Sequence, residues 1–295
     1  MVVNNVVYAN EGGLPLNAIE WLVTHHESKL REREQMVRDL ALKQGSLVVD
    51  AGCGPGLWTP LLAEAIGPEG RIIGVDISLE ALVTAQKRSC HASYRYQVQY
   101  KRAELEQLPL EHGSADSIFS ANVSQYLAQP VETFSAMGRY LVPGGQLIVK
   151  DIDFGTIHFS HIDQGLQERV FQARQRWEQD RPAHGFAFED SWVGAKLVGY
   201  LCAAGFQDVQ ARTYRILRRA PLAASFATYL RGIAEWFVCE GAPYLSAQDV
   251  AEWLRCFLAE GENVLVKDGF TYEETEYVVT GVWQAPVRHN YLDIR

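Results

Sequence analysis

The stretch Val48-Val49-Asp50-Ala51-Gly52-Cys53-Gly54-Pro55-Gly56 constrains the fold more than any other part of the chain. An apolar run ends in an acid and passes directly into glycines at alternate positions, and a helical period begins at about Leu57. A short apolar run bounded by turn residues reads as a buried strand. Glycines let the backbone take positive φ and approach a ligand with no Cβ in the way. Free amides at a helix start favour polar or anionic groups. In open parallel sheets, ligands bind at the carboxyl ends of the strands, where strand order reverses. The spacing is G-x-G-x-G, whereas dinucleotide loops read G-x-G-x-x-G; a nicotinamide cofactor is thereby disfavoured but stays open as an alternative. The next strand ends in Asp76, 20 residues beyond Gly56. An acid there can accept from both hydroxyls of a ribose, whichever nucleotide is bound.

From Ser46 onward, short apolar runs alternate with helical periods, the pattern of a parallel sheet wound with helices. Strands are expected at about Leu47–Asp50, Arg71–Asp76, Tyr94–Lys101, Ser117–Ala121 and Gln146–Asp151, then at Asp208–Ile216 and Tyr272–Trp283. Helices are expected near Leu57–Ile66, Leu79–Ser89, Val131–Leu141 and Gly194–Ala204. Ser78 reads as a helix cap, and Pro143-Gly144-Gly145 as a turn releasing the chain into a strand. The fold class is therefore α/β, a Rossmann-like, mostly parallel seven-stranded sheet with helices on both faces. Two insertions, about 154–190 and 220–268, carry helices at about Gln164–Gln179, Leu222–Cys239 and Ala247–Glu260. Residues 1–45 are helical: Asn17 and Glu20 suggest a capping box, and Ile19, Leu22 and Val23 a buried stripe. Thr24–Gln35 is almost entirely polar, which predicts a solvated break, with His25 and His26 in water. Met36, Val37, Leu40 and Ala41 supply the buried face of a second helix. The expected organisation is an N-terminal helical lid (1–45), a main domain with its insertions (46–285) and a tail (286–295).

With 295 residues, 47% apolar and 21% charged, the chain has the composition of a folded globular protein. A formal charge of −9 opposes non-specific attraction to phosphate backbones. No apolar stretch approaches the roughly 20 residues that cross a bilayer, and the N-terminus lacks the basic region of a secretory signal. Five scattered cysteines without a C-x-x-C pair argue against a disulfide framework and a zinc site, and predict reduced thiols in the cytoplasm.

The ordered runs D-A-G-C-G-P-G, G-V-D-I-S, E-L-E-Q-L-P-L, A-D-S-I-F-S-A-N and R-Y-L-V-P-G-G span about residues 46–151. Together they resemble the class I S-adenosylmethionine-dependent methyltransferases, in particular the group of ubiquinone/menaquinone-type and other small-molecule enzymes. Ala203-Ala204-Gly205-Phe206 and the Glu276–Trp283 strand extend the likeness. The resemblance implies that Asp50, Gly52, Gly54 and Gly56 form the loop around the methionine part of S-adenosyl-L-methionine. It implies that Asp76 holds the ribose, Ile77 packs on the adenine, and Glu104 and the Leu105 amide meet the adenine edge. Glu104 departs from the aspartate usual in the family. Asn122 would line the pocket near the sulfonium.

Methyl transfer from a sulfonium is an in-line displacement, and its first requirement is a nucleophile held about 3 Å from the methyl carbon. A hydroxyl acceptor also needs a base, often histidine. His158 and His161, and with them His184, Asp151 and Asp153, fall after the fifth strand, where this family builds its acceptor pocket; His158 and His161 are the candidate bases. The aromatic insertions predict an enclosure for a small, apolar or aromatic acceptor. Tyr8 or Trp21 could close over the cofactor, and Arg31 or Arg33 could meet its carboxylate. Trp236, Phe237 and Trp253 could instead form a homodimer contact. No N/D-P-P-Y/F element follows the fourth strand and no Pro-Cys pair exists, which speaks against nucleic-acid methylation. A non-catalytic scaffold that binds the cofactor is the remaining alternative.

Overall fold

The computed structural model describes residues 16–181 and 189–284. Tyr8, His184, Phe186, Phe188 and the expected tail lie outside the described residues. The strands are β1 (Leu47–Ala51), β2 (Arg71–Asp76), β3 (Val98–Arg102), β4 (Ala115–Ala121), β5 (Leu141–Phe159), β6 (Gln207–Arg219) and β7 (Thr271–Val282). They form one sheet in the order β3-β2-β1-β4-β5-β7-β6. β1 to β5 are parallel, and β7 runs antiparallel between β5 and β6. Order reverses at β1, between β2 and β4, which sets the ligand edge.

Strand alternation covers both faces, because successive side chains point to opposite sides. Val48, Phe119, Ile148 and Val278 pack against Met36 and Val37 of α2 (Leu30–Leu40) and Leu62, Ala63 and Ile66 of α3 (Thr59–Ile66). Their neighbours Val49, Ile118, Val149 and Val279 pack against Phe134 and Met137 of α5 (Pro130–Gly138) and Leu197 and Leu201 of α7 (Leu197–Ala203). α4 (Leu79–Ser89) starts as expected: Ser78 Oγ accepts from the Ala81 amide at 3.2 Å.

A third cluster joins α1 (Ile19–Ser28), α6 (Gln164–Asp180), α8 (Ala224–Gly241) and α9 (Ala247–Leu258) to the far end of β5 and to Tyr272. Phe171 stacks on Phe237 with ring centroids 4.3 Å apart, and the Trp253 indole donates to the Ala234 carbonyl at 2.8 Å. Trp236, Phe237 and Trp253 are each fully buried in this cluster. They therefore cannot form the dimer contact expected of them.

Four other expectations need correction. Asn17 does not cap α1, whose cap is Ala18 without a side-chain bond; the Asn17 side chain bonds the Tyr126 hydroxyl instead. The polar run 24–35 is helical with one break, at Lys29, and His26, Lys29 and Arg33 are buried. Pro143–Gly145 lies inside β5, which starts at Leu141; the Gly144 amide donates to the Trp283 carbonyl, so the segment is a bulge paired with the chain after β7. β5 also continues past Asp153 to Phe159, because β7 is long enough to pair with it: His158 stands opposite Glu273.

Candidate active site

The carboxyl ends of the first four strands open on a single cavity of about 530 Å³. Its walls are the segment Gly52–Trp58 after β1 (Gly56 excepted), Asp76–Ser78 after β2, Ala103–Glu106 after β3 and Ala121–Val123 after β4. Asn17, Leu22, His25 and Arg33 close it from the N-terminal helices, with Tyr126 and Leu127 alongside.

The glycine loop is held by the end of β2. The Gly52 and Cys53 amides donate to the Val75 carbonyl at 2.8 and 3.0 Å, and the Gly54 amide donates to Asp76 Oδ2 at 2.8 Å. Asp76 Oδ1 accepts from the Ser78 amide at 2.8 Å. Each carboxylate oxygen keeps a lone pair for a ligand. Burial pushes the Asp76 carboxyl above the usual aspartate range, against those amide bonds. α3 starts at Thr59, two residues later than expected, and Gly54–Trp58 form the turn before it.

The three glycines differ in what they do. A Cβ on Gly52 would meet Val123 at 2.4 Å, and one on Gly56 would meet the Tyr100 hydroxyl at 2.7 Å. Those two serve close packing within the protein. A Cβ on Gly54 would meet only Leu22, at 3.9 Å, and Gly54 borders the cavity. Asp50 is buried beneath the loop and does not reach the cavity; Thr59 Oγ1 donates to it at 3.4 Å. Burial raises its carboxyl to about 7. Cys53 borders the cavity, yet burial raises its thiol so far that it stays protonated.

Ile77 is 62% exposed at the cavity rim, where Glu104 and Leu105 also stand. Asn122 lines the cavity with φ +59°, in the left-handed region that Asn tolerates better than most residues. Its Oδ1 accepts from Lys150 Nζ at 2.7 Å. That bond assigns the amide orientation and leaves Nδ2 as the side chain's donor.

Of the two arginines, Arg31 is exposed and away from the cavity, while Arg33 lines it and is 1% exposed. Arg33 Nη1 lies 2.6 Å from His26 Nδ1, and its guanidinium sits 5.1 Å from the Trp58 ring centre. Its Nε and Nη2 are buried without a hydrogen-bond partner. Burial and the Arg33 charge hold His26 neutral, with its pKa lowered to about 2. The guanidinium thus stands at the cavity wall with two N–H groups that have no partner within the protein.

Behind Asn122 lies a charge network that sequence reading missed. Lys150 Nζ is 2.9 Å from Glu276 Oε1, which also lies 3.2 Å from Lys29 Nζ. Lys29 pairs with Glu274 as well, and Tyr229 and Tyr272 donate to Glu274 at 3.1 and 2.6 Å. These groups are fully buried. Two signals pointed to it: His25, Lys29 and Arg33 are spaced i, i+4, i+8, and Glu274 and Glu276 share one face of a strand.

The candidate bases are not at the cavity. His158 is exposed on β5 opposite Glu273, and His161 is exposed with Nδ1 3.0 Å from Ser160 Oγ. Asp151 and Asp153 are turned to backbone amides: Asp151 accepts from Ser124 and Ile152, Asp153 from Gly155 and Ala195. Trp21 is buried, stacks on Tyr229 at 5.3 Å and lines a second, smaller cavity rather than the main one.

Comparison with known proteins agrees with this geometry. The methyltransferase domain family matches residues 42–219, more than half of the chain, and the chain belongs to that family. It is similar to a malonyl-[acyl-carrier protein] O-methyltransferase of Marinomonas, 31% identical over 158 residues, covering 54% of this chain and 53% of the relative. A demethylmenaquinone methyltransferase of Staphylococcus aureus is 29% identical over 129 residues, covering 42% of this chain and 51% of the relative. The chain thus spans about half the length of these relatives. In structure it is similar to the YcgJ protein of Bacillus, with a TM-score of 0.56 and 14% identity over 86% of this chain and 99% of the other. At that identity the likeness shows the fold.

Proposed function

We propose that the chain is an S-adenosylmethionine-dependent methyltransferase that moves a methyl group to an oxygen, nitrogen or carbon atom of a small, apolar or aromatic acceptor. The observation that carries this reading is the single cavity bounded by Gly54, Asp76, Glu104–Leu105, Asn122 and Arg33. The residues present fit the cofactor: Gly54 leaves room that a Cβ would fill, and Arg33 has two buried N–H groups without partners. S-adenosylmethionine would supply an activated methyl on a sulfonium. Asp76 would accept from its ribose hydroxyls, with Ile77, Glu104 and the Leu105 amide around the adenine. Arg33 would take the methionine carboxylate, and Asn122 Nδ2 would face the methionine end. Asp50 and Gly56 shape the loop from beneath without touching the ligand.

The chain's contribution to the reaction is orientation and exclusion of water. α1 and α2 act as a lid, since Asn17, Leu22, His25 and Arg33 form one wall of the cavity. No helix among the described residues is long and apolar enough to cross a membrane. All five cysteines are unpaired, which supports a cytoplasmic setting. The test is calorimetry with S-adenosylhomocysteine: one molecule bound per chain is expected, and no fluorescence change with NADH. Absence of S-adenosylhomocysteine binding overturns the reading.

A further inference from the structure

We propose that Lys150 is a positioning residue: its ammonium locks the Asn122 amide so that Nδ2, a donor, is the group offered to the ligand, which answers with an oxygen of the methionine carboxylate. This rests on the methyltransferase reading and adds to it which end group of the cofactor faces Asn122.

Asn122 directly follows β4, and Lys150 stands beside it on β5, where Ala121 and Lys150 are register partners. The hold on Asn122 is double. Its backbone amide donates to the Lys150 carbonyl at 2.8 Å, and Lys150 Nζ donates to its Oδ1 at 2.7 Å. Lys150 Nζ is itself fixed by Glu276 Oε1, 2.9 Å away. Burial lowers the Lys150 pKa to about 8 against the pull of Glu276, so at neutral pH the group is mainly an ammonium. An ammonium has donors and no acceptor, so only the oxygen of the Asn122 amide can face it. Turning the amide over would set one donor against another. Nδ2 makes no hydrogen bond among the described residues and keeps accessible surface, and Asn122 lines both cavities.

The charges behind this wall favour a carboxylate over an ammonium. Lys150, Lys29 and Arg33 all act on Glu276, and Lys29 also pairs with Glu274. His25 and His26 are held neutral, chiefly by burial. Lys29, Lys150 and Arg33 against Glu274 and Glu276 leave one positive charge in excess, which repels an ammonium and attracts an anion. A carboxylate has lone pairs for both Arg33 and Asn122, whereas an ammonium has none to offer. Without Lys150 either end of the Asn122 amide could turn to the ligand, and Oδ1 would meet a carboxylate with like charge.

The test is calorimetry on the full chain with S-adenosylhomocysteine and with 5′-methylthioadenosine, which keeps adenine, ribose and sulfur but lacks the amino-acid end. Asn122→Asp keeps an oxygen for Lys150 and puts an anionic oxygen in place of Nδ2. Its S-adenosylhomocysteine affinity should fall roughly ten- to hundredfold, the range of a hydrogen bond to a charged group, with methylthioadenosine affinity unchanged. Lys150→Met, similar in length but without a donor, should weaken S-adenosylhomocysteine several-fold in the wild-type background and not at all in Asn122→Ala. A merely structural lysine would weaken both ligands, and equally in either background. The unaltered chain labelled with ¹⁵N-asparagine gives a readout that does not depend on Lys150→Met folding. The side-chain signal missing in Asn122→Asp should shift with S-adenosylhomocysteine and stay in place with methylthioadenosine. The proposal is overturned if Asn122→Asp leaves S-adenosylhomocysteine affinity unchanged or weakens methylthioadenosine as much. It is equally overturned if Lys150→Met acts alike with and without Asn122, or if that signal does not respond to S-adenosylhomocysteine. Each of these results removes the proposal alone, whereas failure of S-adenosylhomocysteine to bind the wild-type chain removes the methyltransferase reading with it.

Discussion

Gly54 and Gly56 both have positive φ, +51° and +72°, yet their surroundings assign them different duties. Alanine at either position carries the left-handed backbone cost of about 1–2 kcal/mol. Gly56→Ala adds a clash with the Tyr100 hydroxyl and with Ala85, so urea unfolding should show the larger loss of stability there. Gly54→Ala should fold and lose S-adenosylhomocysteine affinity, because its methyl group enters the cavity. Asp76→Ala should weaken the same binding by about 1.5–3 kcal/mol, the scale of hydrogen bonds to a charged group, as read by calorimetry. Asp50 makes a pH prediction. Its folded pKa is raised to about 7, so between about 4 and 7 the folded state keeps a proton that the unfolded state releases. Stability therefore falls as pH rises through that window and levels off above it. Asp50→Asn should remove this decline, with a larger gain in Tm at pH 8 than at pH 5.

Among the elements, β7 and the α1–α2 pair depend on one another. Glu276 bridges Lys29 and Lys150, and their charges together with Arg33 hold its pKa down to about 2 against the effect of burial. Removing one partner of a buried ion network leaves the others uncompensated, which costs about 3–5 kcal/mol. Glu276→Ala should lose that much in urea unfolding and should also release Asn122, which Lys150 holds. Because the folded carboxylate is stabilised, its contribution is present above the unfolded value and fades as pH falls toward about 2. The strands and their order of appearance were legible from apolar runs and turn residues. The buried histidines, lysine and arginine were not, since a polar helical run reads as solvated until its partner strand is known. His158 was misplaced for a related reason: the extra length of β5 comes from pairing with a strand more than a hundred residues later in the chain.

At the scale of the whole molecule, a wound sheet carries a cap whose aromatic core includes Trp21 from α1 and Trp236, Phe237 and Trp253 from the second insertion. Ligand binding should tie cap to sheet. At a hundredfold excess over Kd, S-adenosylhomocysteine should add about 2.7 kcal/mol of stability. Hydrogen exchange should slow in residues 17–33 and 52–58 together, since both segments wall the same cavity. Protection confined to the glycine loop would refute the lid.

The sequence by itself determined the alternation of strands and helices, the turn from Gly52 to Gly56 and the place of Asp76 at a strand end. These follow from hydrophobic period and backbone freedom, which are local properties. Only the tertiary structure decided which polar side chains face the cavity. His25 and Arg33 are far in sequence from Glu276 and Tyr229, and their burial, unpaired atoms and protonation states arise only when helix, strand and cap are packed together.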